Sequence, residues 1–236
     1  MSQGTGMATE PPLLGYKERV KALAHGVFDP MVGAIAATGL KPDHLTVLGL
    51  LTSVIAGIVF SAGLFRLAAL ITILAGIFDI LDGQLARRTG TISRFGAFFD
   101  STLDRLADAA VLLGIAGYFV RQLVDMTTNP ARVFANLQRG LEPITYAVIA
   151  LLAVLAMVGA FMVSYTRARA EGLGLECKVG WFERPERMVL IIVMGFFGLG
   201  PVIPAGLLIL AALSLVTAIQ RVTHVWKITR GAGMDR

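Results

Sequence analysis

Four aspartates, Asp79, Asp82, Asp100 and Asp104, sit at the edges of two strongly apolar stretches, in "DILDGQLARRTGTISRFGAFFDSTLD" (residues 79–104). Asp79 and Asp82 are three apart, and Asp100 and Asp104 are four apart. On helices both spacings put the two side chains on one face, about 4.5–6 Å apart along the axis. The connection between the two stretches is short, so the helices are expected to be antiparallel neighbours with the two pairs facing each other at similar depth. Such charges are expensive. One Asp well inside a membrane helix costs ~2.5–3.5 kcal/mol on insertion scales, and four close together also repel. The helix dipole favours Asp100 at the start of its helix but not Asp79 and Asp82 near the end of theirs. Arg87, Arg88 and Arg105 could neutralise part of the excess. Facing pairs of hard oxygen ligands suit divalent cations better, and Mg²⁺ typically combines carboxylates, waters and substrate phosphate. A two-ion site is the expectation; a set of buried ion pairs and helix-end charges is the plainer alternative.

The elements that must position these residues follow from composition. The chain has 236 residues, 56% of them hydrophobic and only 16% charged, against about a quarter charged in soluble domains. Windows of ~20 residues with few charges recur, long enough to cross a bilayer as helices. The reading is an all-α polytopic membrane protein with six transmembrane helices near 44–62, 65–86, 96–120, 142–166, 187–200 and 203–222, plus an N-terminal amphipathic helix at the interface. Residues 1–15 read as a disordered tail, 16–40 as the juxtamembrane amphipathic helix, 41–225 as the six-helix domain and 226–236 as a further tail. In the juxtamembrane segment Val20, Leu23, Ala24, Val27, Phe28 and Met31 share one face while Lys17, Arg19 and Lys21 fall elsewhere, the pattern of a helix lying on a membrane or packed on the spans. The 121–141 connection reads as a polar outer loop, partly helical.

Lys and Arg concentrate in the N-terminal segment, the 87–95 and 167–187 connections and the C-terminal end, whereas the opposite connections hold only Arg66, Arg121, Arg132 and Arg139. That asymmetry puts both termini and the aspartates on the cytoplasmic side of a cell membrane. The same rule accounts for the net charge of +5, so no nucleic-acid partner is inferred. A single cysteine, Cys177, excludes an intrachain disulfide, and His25, His44 and His224 are scattered without zinc-site spacing. No cleavable signal peptide is read at the N-terminus. Carboxylates in a membrane also suit a cation transporter, but these cluster at one interface and the two halves of the chain do not repeat.

The order Asp79-x-x-Asp82-Gly83-x-x-Ala86-Arg87, eight residues, then Gly96-x-x-x-Asp100-x-x-x-Asp104 resembles the signature of the CDP-alcohol phosphotransferases at every position. The resemblance implies a membrane enzyme that joins a CDP-linked lipid to an alcohol and releases CMP, with two Mg²⁺ or Mn²⁺ ions per site, and it suggests a homodimer among membrane lipids. Asp79, Asp82, Asp100 and Asp104 would be metal ligands, and Asp104 also the general base. Gly83, Arg87 and Ser93 would receive the nucleotide diphosphate of CDP-diacylglycerol. Pro42, Asp43, His44 and Leu45, in "PDHLT", resemble the family's nucleotide-side segment; read alone, they are a helix start with Asp43 as N-cap.

The acceptor is read from "SYTRARAEGLGLECKVGWFERPER" (164–187). Arg167, Arg169, Lys178, Arg184 and Arg187 lie near the level of the aspartates and suit a phosphate-bearing acceptor, Arg offering paired donors. Some of these cations could equally be interface anchors. "SYTRARAE" and "ERPER" are similar to the branch of the family found in actinobacteria that makes phosphatidylinositol phosphate, which implies inositol 1-phosphate as acceptor and bacterial phospholipid synthesis as the setting. Glycerol 3-phosphate, the substrate of a phosphatidylglycerophosphate synthase, is the nearest rival.

Overall fold

The computed structural model describes residues 28–138 and 142–231. Among them the chain is all helical: α1 (Phe28–Ala37), α2 (Pro42–Ser61), α3 (Phe65–Thr89), α4 (Arg94–Thr128), α5 (Pro130–Gln138), α6 (Pro143–Glu171), α7 (Arg184–Phe197) and α8 (Val202–Gly231). The tail and most of the expected amphipathic helix lie outside the described residues. Four helices, α2, α4, α6 and α8, are long and apolar enough to cross a membrane. α3 has 25 residues but is not among them. α7 has 14 residues, roughly 21 Å at 1.5 Å per residue. The expected spans map onto α2, α3, α4, α6, α7 and α8 in order. The helices overrun them: α4 continues to Thr128 and α8 to Gly231, so the 121–141 connection holds the end of α4 and all of α5.

α2 packs on α3 and α4, α4 on α6, α6 on α8, and α3 on α7. The interior is built from small and medium side chains: Ala56, Phe60, Ile115, Ala153, Ala156, Leu207 and Leu210 are all buried in one cluster. The outside is apolar too, with Ile58, Leu151, Val189 and Ile219 each at least 60% exposed. In water that surface would be an aggregation hazard; against lipid it costs nothing.

Glycine sets the closest helix approach. A Cβ on Gly57 of α2 would land on the Ala110 carbonyl of α4, and one on Gly114 would land on the Gly57 backbone. The two helices therefore touch backbone to backbone, in the manner of small-residue membrane interfaces. A second small cluster, Val32, Leu45, Leu81 and Leu85, docks α1 on α2 and α3. Arg88 completes the dock by donating to the Asp29 carbonyl at 3.1 Å, so this cation serves α1 rather than the aspartates.

Candidate active site

The turn between α3 and α4 is short because each helix end is capped locally. Gly90, at φ 66°, ends α3 in the left-handed conformation that glycine adopts without strain. Ser93 begins α4, its Oγ accepting from the Gly96 N–H at 2.9 Å. The antiparallel pair then brings Asp79 and Asp82 of α3 to Asp100 of α4, with one carboxylate oxygen from each lying within 4.8 Å of the others. Asp82 is 6% exposed, and its Oδ2 accepts from the Thr46 hydroxyl of α2 at 2.7 Å. Asp100 Oδ1 is buried with no protein partner. Three carboxylates converge, one with an orphaned buried oxygen, and among the described residues a cation pairs with only one of them, too little positive charge to make the cluster affordable. A divalent cation with hard oxygen ligands fits that need.

Asp104, one turn along α4 from Asp100, lines a small cavity with Asp79 and Asp82. Arg184, the first residue of α7, places Nη1 2.9 Å from Asp104 Oδ1 and 2.9 Å from Asp79 Oδ2. Its Nε lies 3.6 Å from Asp108 Oδ1, one turn further along α4. Three of the four predicted ligands thus converge, and the fourth is joined to them through a guanidinium.

Two cavities flank this layer. The first, about 270 Å³, contains five of the seven residues expected on the nucleotide side: Pro42, Asp43, Gly83, Arg87 and Ser93. Asp82, Asp100, Thr46 and Gly96 also line it. A Cβ at Gly83 would sit 3.6 Å from Arg87 Nη1, an ordinary contact, so the Arg87 guanidinium lies alongside the bare face of that glycine. His44 and Leu45 lie elsewhere. His44 is exposed, its Nδ1 accepting from the Lys41 N–H at 3.3 Å, and Leu45 is buried against α1 and α3. Consecutive helical residues fan out by about 100° each, so a five-residue motif cannot face one cavity throughout.

The second cavity, about 140 Å³, is enclosed by α4, α6, α7 and α8. Five arginines, Arg105, Arg167, Arg184, Arg187 and Arg221, face three carboxylates there, Asp104, Asp108 and Glu183. Arg187 is 3% exposed. Its Nη2 lies 2.8 Å from Asp108 Oδ2, while Nε and Nη1 have no protein partner. Buried N–H groups without acceptors, beside a surplus of cations, suit an anion. Arg167 bonds Glu171 at 2.9 Å and approaches Glu183 at 3.6 Å. Arg169 and Lys178 are on neither cavity. Arg169 is exposed, two residues and over half a turn from Arg167, and Lys178 pairs with Glu176 at 2.5 Å on the surface.

Thr46 and Arg221 were not anticipated. Thr46 stands inside the quoted "PDHLT" segment. Arg221 is the sole Lys or Arg between Val202 and Trp226, and an arginine in an apolar span is a functional signal by default. It is 2% exposed and donates to the Val163 and Val179 carbonyls and to Glu183, at 2.6, 2.8 and 2.6 Å, tying the 172–183 connection to α8.

Residues 40–226 match the family described as CDP-alcohol phosphatidyltransferase, and the chain belongs to that family. It is 36% identical over 202 residues to the archaetidylinositol phosphate synthase of Methanothermobacter thermautotrophicus, covering 84% of this chain and 88% of the relative. It is 30% identical over 214 residues to the phosphatidylinositol phosphate synthase of Mycobacterium tuberculosis, covering 88% of each. Crystal structures of the mycobacterial synthase superpose with a TM-score of 0.68 at 29% identity over 84% of this chain. One, with 92% of its chain covered, has CDP-DAG bound; another, with 88% covered, is a complex with manganese and citrate.

Proposed function

We propose that this protein transfers the phosphatidyl group of CDP-diacylglycerol to inositol 1-phosphate, giving phosphatidylinositol phosphate and CMP. One observation carries the reading: a layer of aspartates stands between a cavity lined by the signature residues and a cavity lined by five arginines. The names of the two relatives agree on an inositol phosphate product and differ in the lipid. That agreement supports inositol 1-phosphate over glycerol 3-phosphate.

In this reading Asp79, Asp82 and Asp100 hold divalent ions, Mg²⁺ or Mn²⁺, with Asp104 joining them at the second of two. The ions neutralise the diphosphate and stabilise charge on the attacking and leaving oxygens. Pro42, Asp43, Gly83, Arg87 and Ser93 receive the nucleotide end. Arg187, with Arg184 and Arg167, takes the acceptor phosphate. Asp104 accepts the proton of the acceptor hydroxyl as its oxygen bonds to the β-phosphorus. The bond from that phosphorus to the bridging oxygen breaks, and CMP leaves. The 41–225 domain works as a homodimer in the inner membrane of a bacterial cell, among membrane lipids, with both termini and the active site on the cytoplasmic face. The test is a panel of acceptors (inositol 1-phosphate, free inositol, glycerol 3-phosphate and serine) given to purified protein with CDP-diacylglycerol. Product mass should identify phosphatidylinositol phosphate. Phosphatidylglycerophosphate as the main product would overturn the acceptor but leave the transfer chemistry standing.

A further inference from the structure

The aspartate layer is divided in a way that a simple metal cage is not. Among the described residues Asp82 and Asp100 make no direct ion pair, whereas Asp79 and Asp104, from different helices, are bridged by one nitrogen of Arg184 at 2.9 Å to each. We propose that Arg184 is an exchangeable internal cation, which holds the Asp79–Asp104 end of the layer until a second divalent ion takes its place and is thereby released into the arginine-lined cavity. The inference rests on the two-ion reading above.

Three features support exchange over a permanent ion pair. First, a guanidinium and a divalent cation cannot both use the facing oxygens of Asp79 and Asp104, because the two positive charges would repel at contact distance. Second, the helix end gives the arginine no help, so its hold in the layer rests on the carboxylates alone. Arg184 is at the N-terminus of α7, where the helix dipole disfavours positive charge. Third, the side chain already has somewhere to go. It lines the arginine-rich cavity as well as the aspartate layer, it is 22% exposed, and its Nε stays near Asp108 at 3.6 Å. Nε has no hydrogen-bond partner at that distance, so a small rotation towards Asp108 would give it one as Nη1 leaves the layer.

One consequence follows. An anion in the arginine-lined cavity draws Arg184 away from the aspartates, so phosphate and the second ion strengthen each other's binding reciprocally. Filling the acceptor cavity thus favours loading of the second ion.

The experiment measures Mn²⁺ binding by electron paramagnetic resonance on full-length protein in nanodiscs, with no lipid substrate and no turnover. Wild type is expected to show a tight and a weak class of ion. In R184Q the weak class should tighten about tenfold, within the usual range for coupled sites, while the tight class stays within about twofold. R167Q removes the same charge from the same cavity without touching the four aspartates, and it should leave both classes within about twofold. Inorganic phosphate should tighten the weak class in wild type and not in R184Q. An unchanged or weakened second class in R184Q, or equal tightening in R167Q, overturns the proposal. So does wild-type protein in which phosphate leaves the weak class unmoved, a result that needs no variant to fold. A single ion per chain in wild type and R184Q alike would instead sink the two-ion reading itself.

Discussion

At the scale of single residues, each group in the site has a chemically distinct expected defect. Asp104→Asn removes the proposed base while keeping shape, so kcat should fall by roughly 10²–10⁴-fold, the span for general base catalysis. Binding of CDP-diacylglycerol, followed separately, should survive; a variant with full turnover would remove Asp104 from the role. Arg187→Gln should raise KM for the acceptor by about tenfold or more, as expected for a lost charge-assisted hydrogen bond, with KM for the nucleotide lipid little changed. An unaltered acceptor KM would show that its two unpartnered N–H groups face something other than phosphate. Thr46→Val deletes the hydroxyl that donates to Asp82 at 2.7 Å. Losing such an orienting partner typically costs 10–100-fold in metal affinity, so the chain's tightest Mn²⁺ site should weaken while the fold holds. The signature aspartates were legible because acidic side chains at helical spacing in apolar sequence are costly enough to demand a reason. Thr46 was not, since a threonine near a helix start has too many ordinary uses.

At the scale of elements, the site depends on how tightly α2, α3 and α4 are drawn together. Gly57 and Gly114 put α2 and α4 in backbone contact, and α2 also reaches α3 through the Thr46–Asp82 hydrogen bond. Gly114→Leu should force the two helices apart, with overpacking of about 1–3 kcal/mol or more. Thermal unfolding in detergent should occur at lower temperature, with activity lost alongside it. A Leu variant as stable and active as wild type would mean that the spacing of these helices does not matter. The existence and order of the helices were readable from apolar run length alone. Their ends were not, because a helix continues past the hydrocarbon edge wherever its own hydrogen bonds and caps allow, as α4 and α8 do. The arginines of 164–187 were readable as a cationic group but not one by one. Which of them face inwards depends on helical phase and on the path of the 172–183 connection, and that path is tied down by Arg221, some forty residues away in sequence. Phase sends Arg167 to the cavity and Arg169 to the surface.

At the scale of the whole molecule, an apolar exterior wraps a polar seam that runs from the nucleotide-side cavity, through the aspartates, to the arginine-lined cavity. The seam lies near the ends of α3 and α4 that join each other, where in the proposed reaction a lipid-borne headgroup and a water-soluble acceptor would meet from opposite sides. Lipid supplies the solvent for the outside, and the aspartates, unaffordable there as bare charges, become useful once cations join them. Divalent metal should be required by the molecule as a whole, reversibly and without unfolding. The most direct measurement is CMP release by protein reconstituted in vesicles holding CDP-diacylglycerol, with inositol 1-phosphate supplied, as free Mg²⁺ is removed with chelator and then restored. Release should fall to background in chelator, return with Mg²⁺ or Mn²⁺, and fail to return in Asp82→Asn. Undiminished CMP release in excess chelator would contradict the account at its centre.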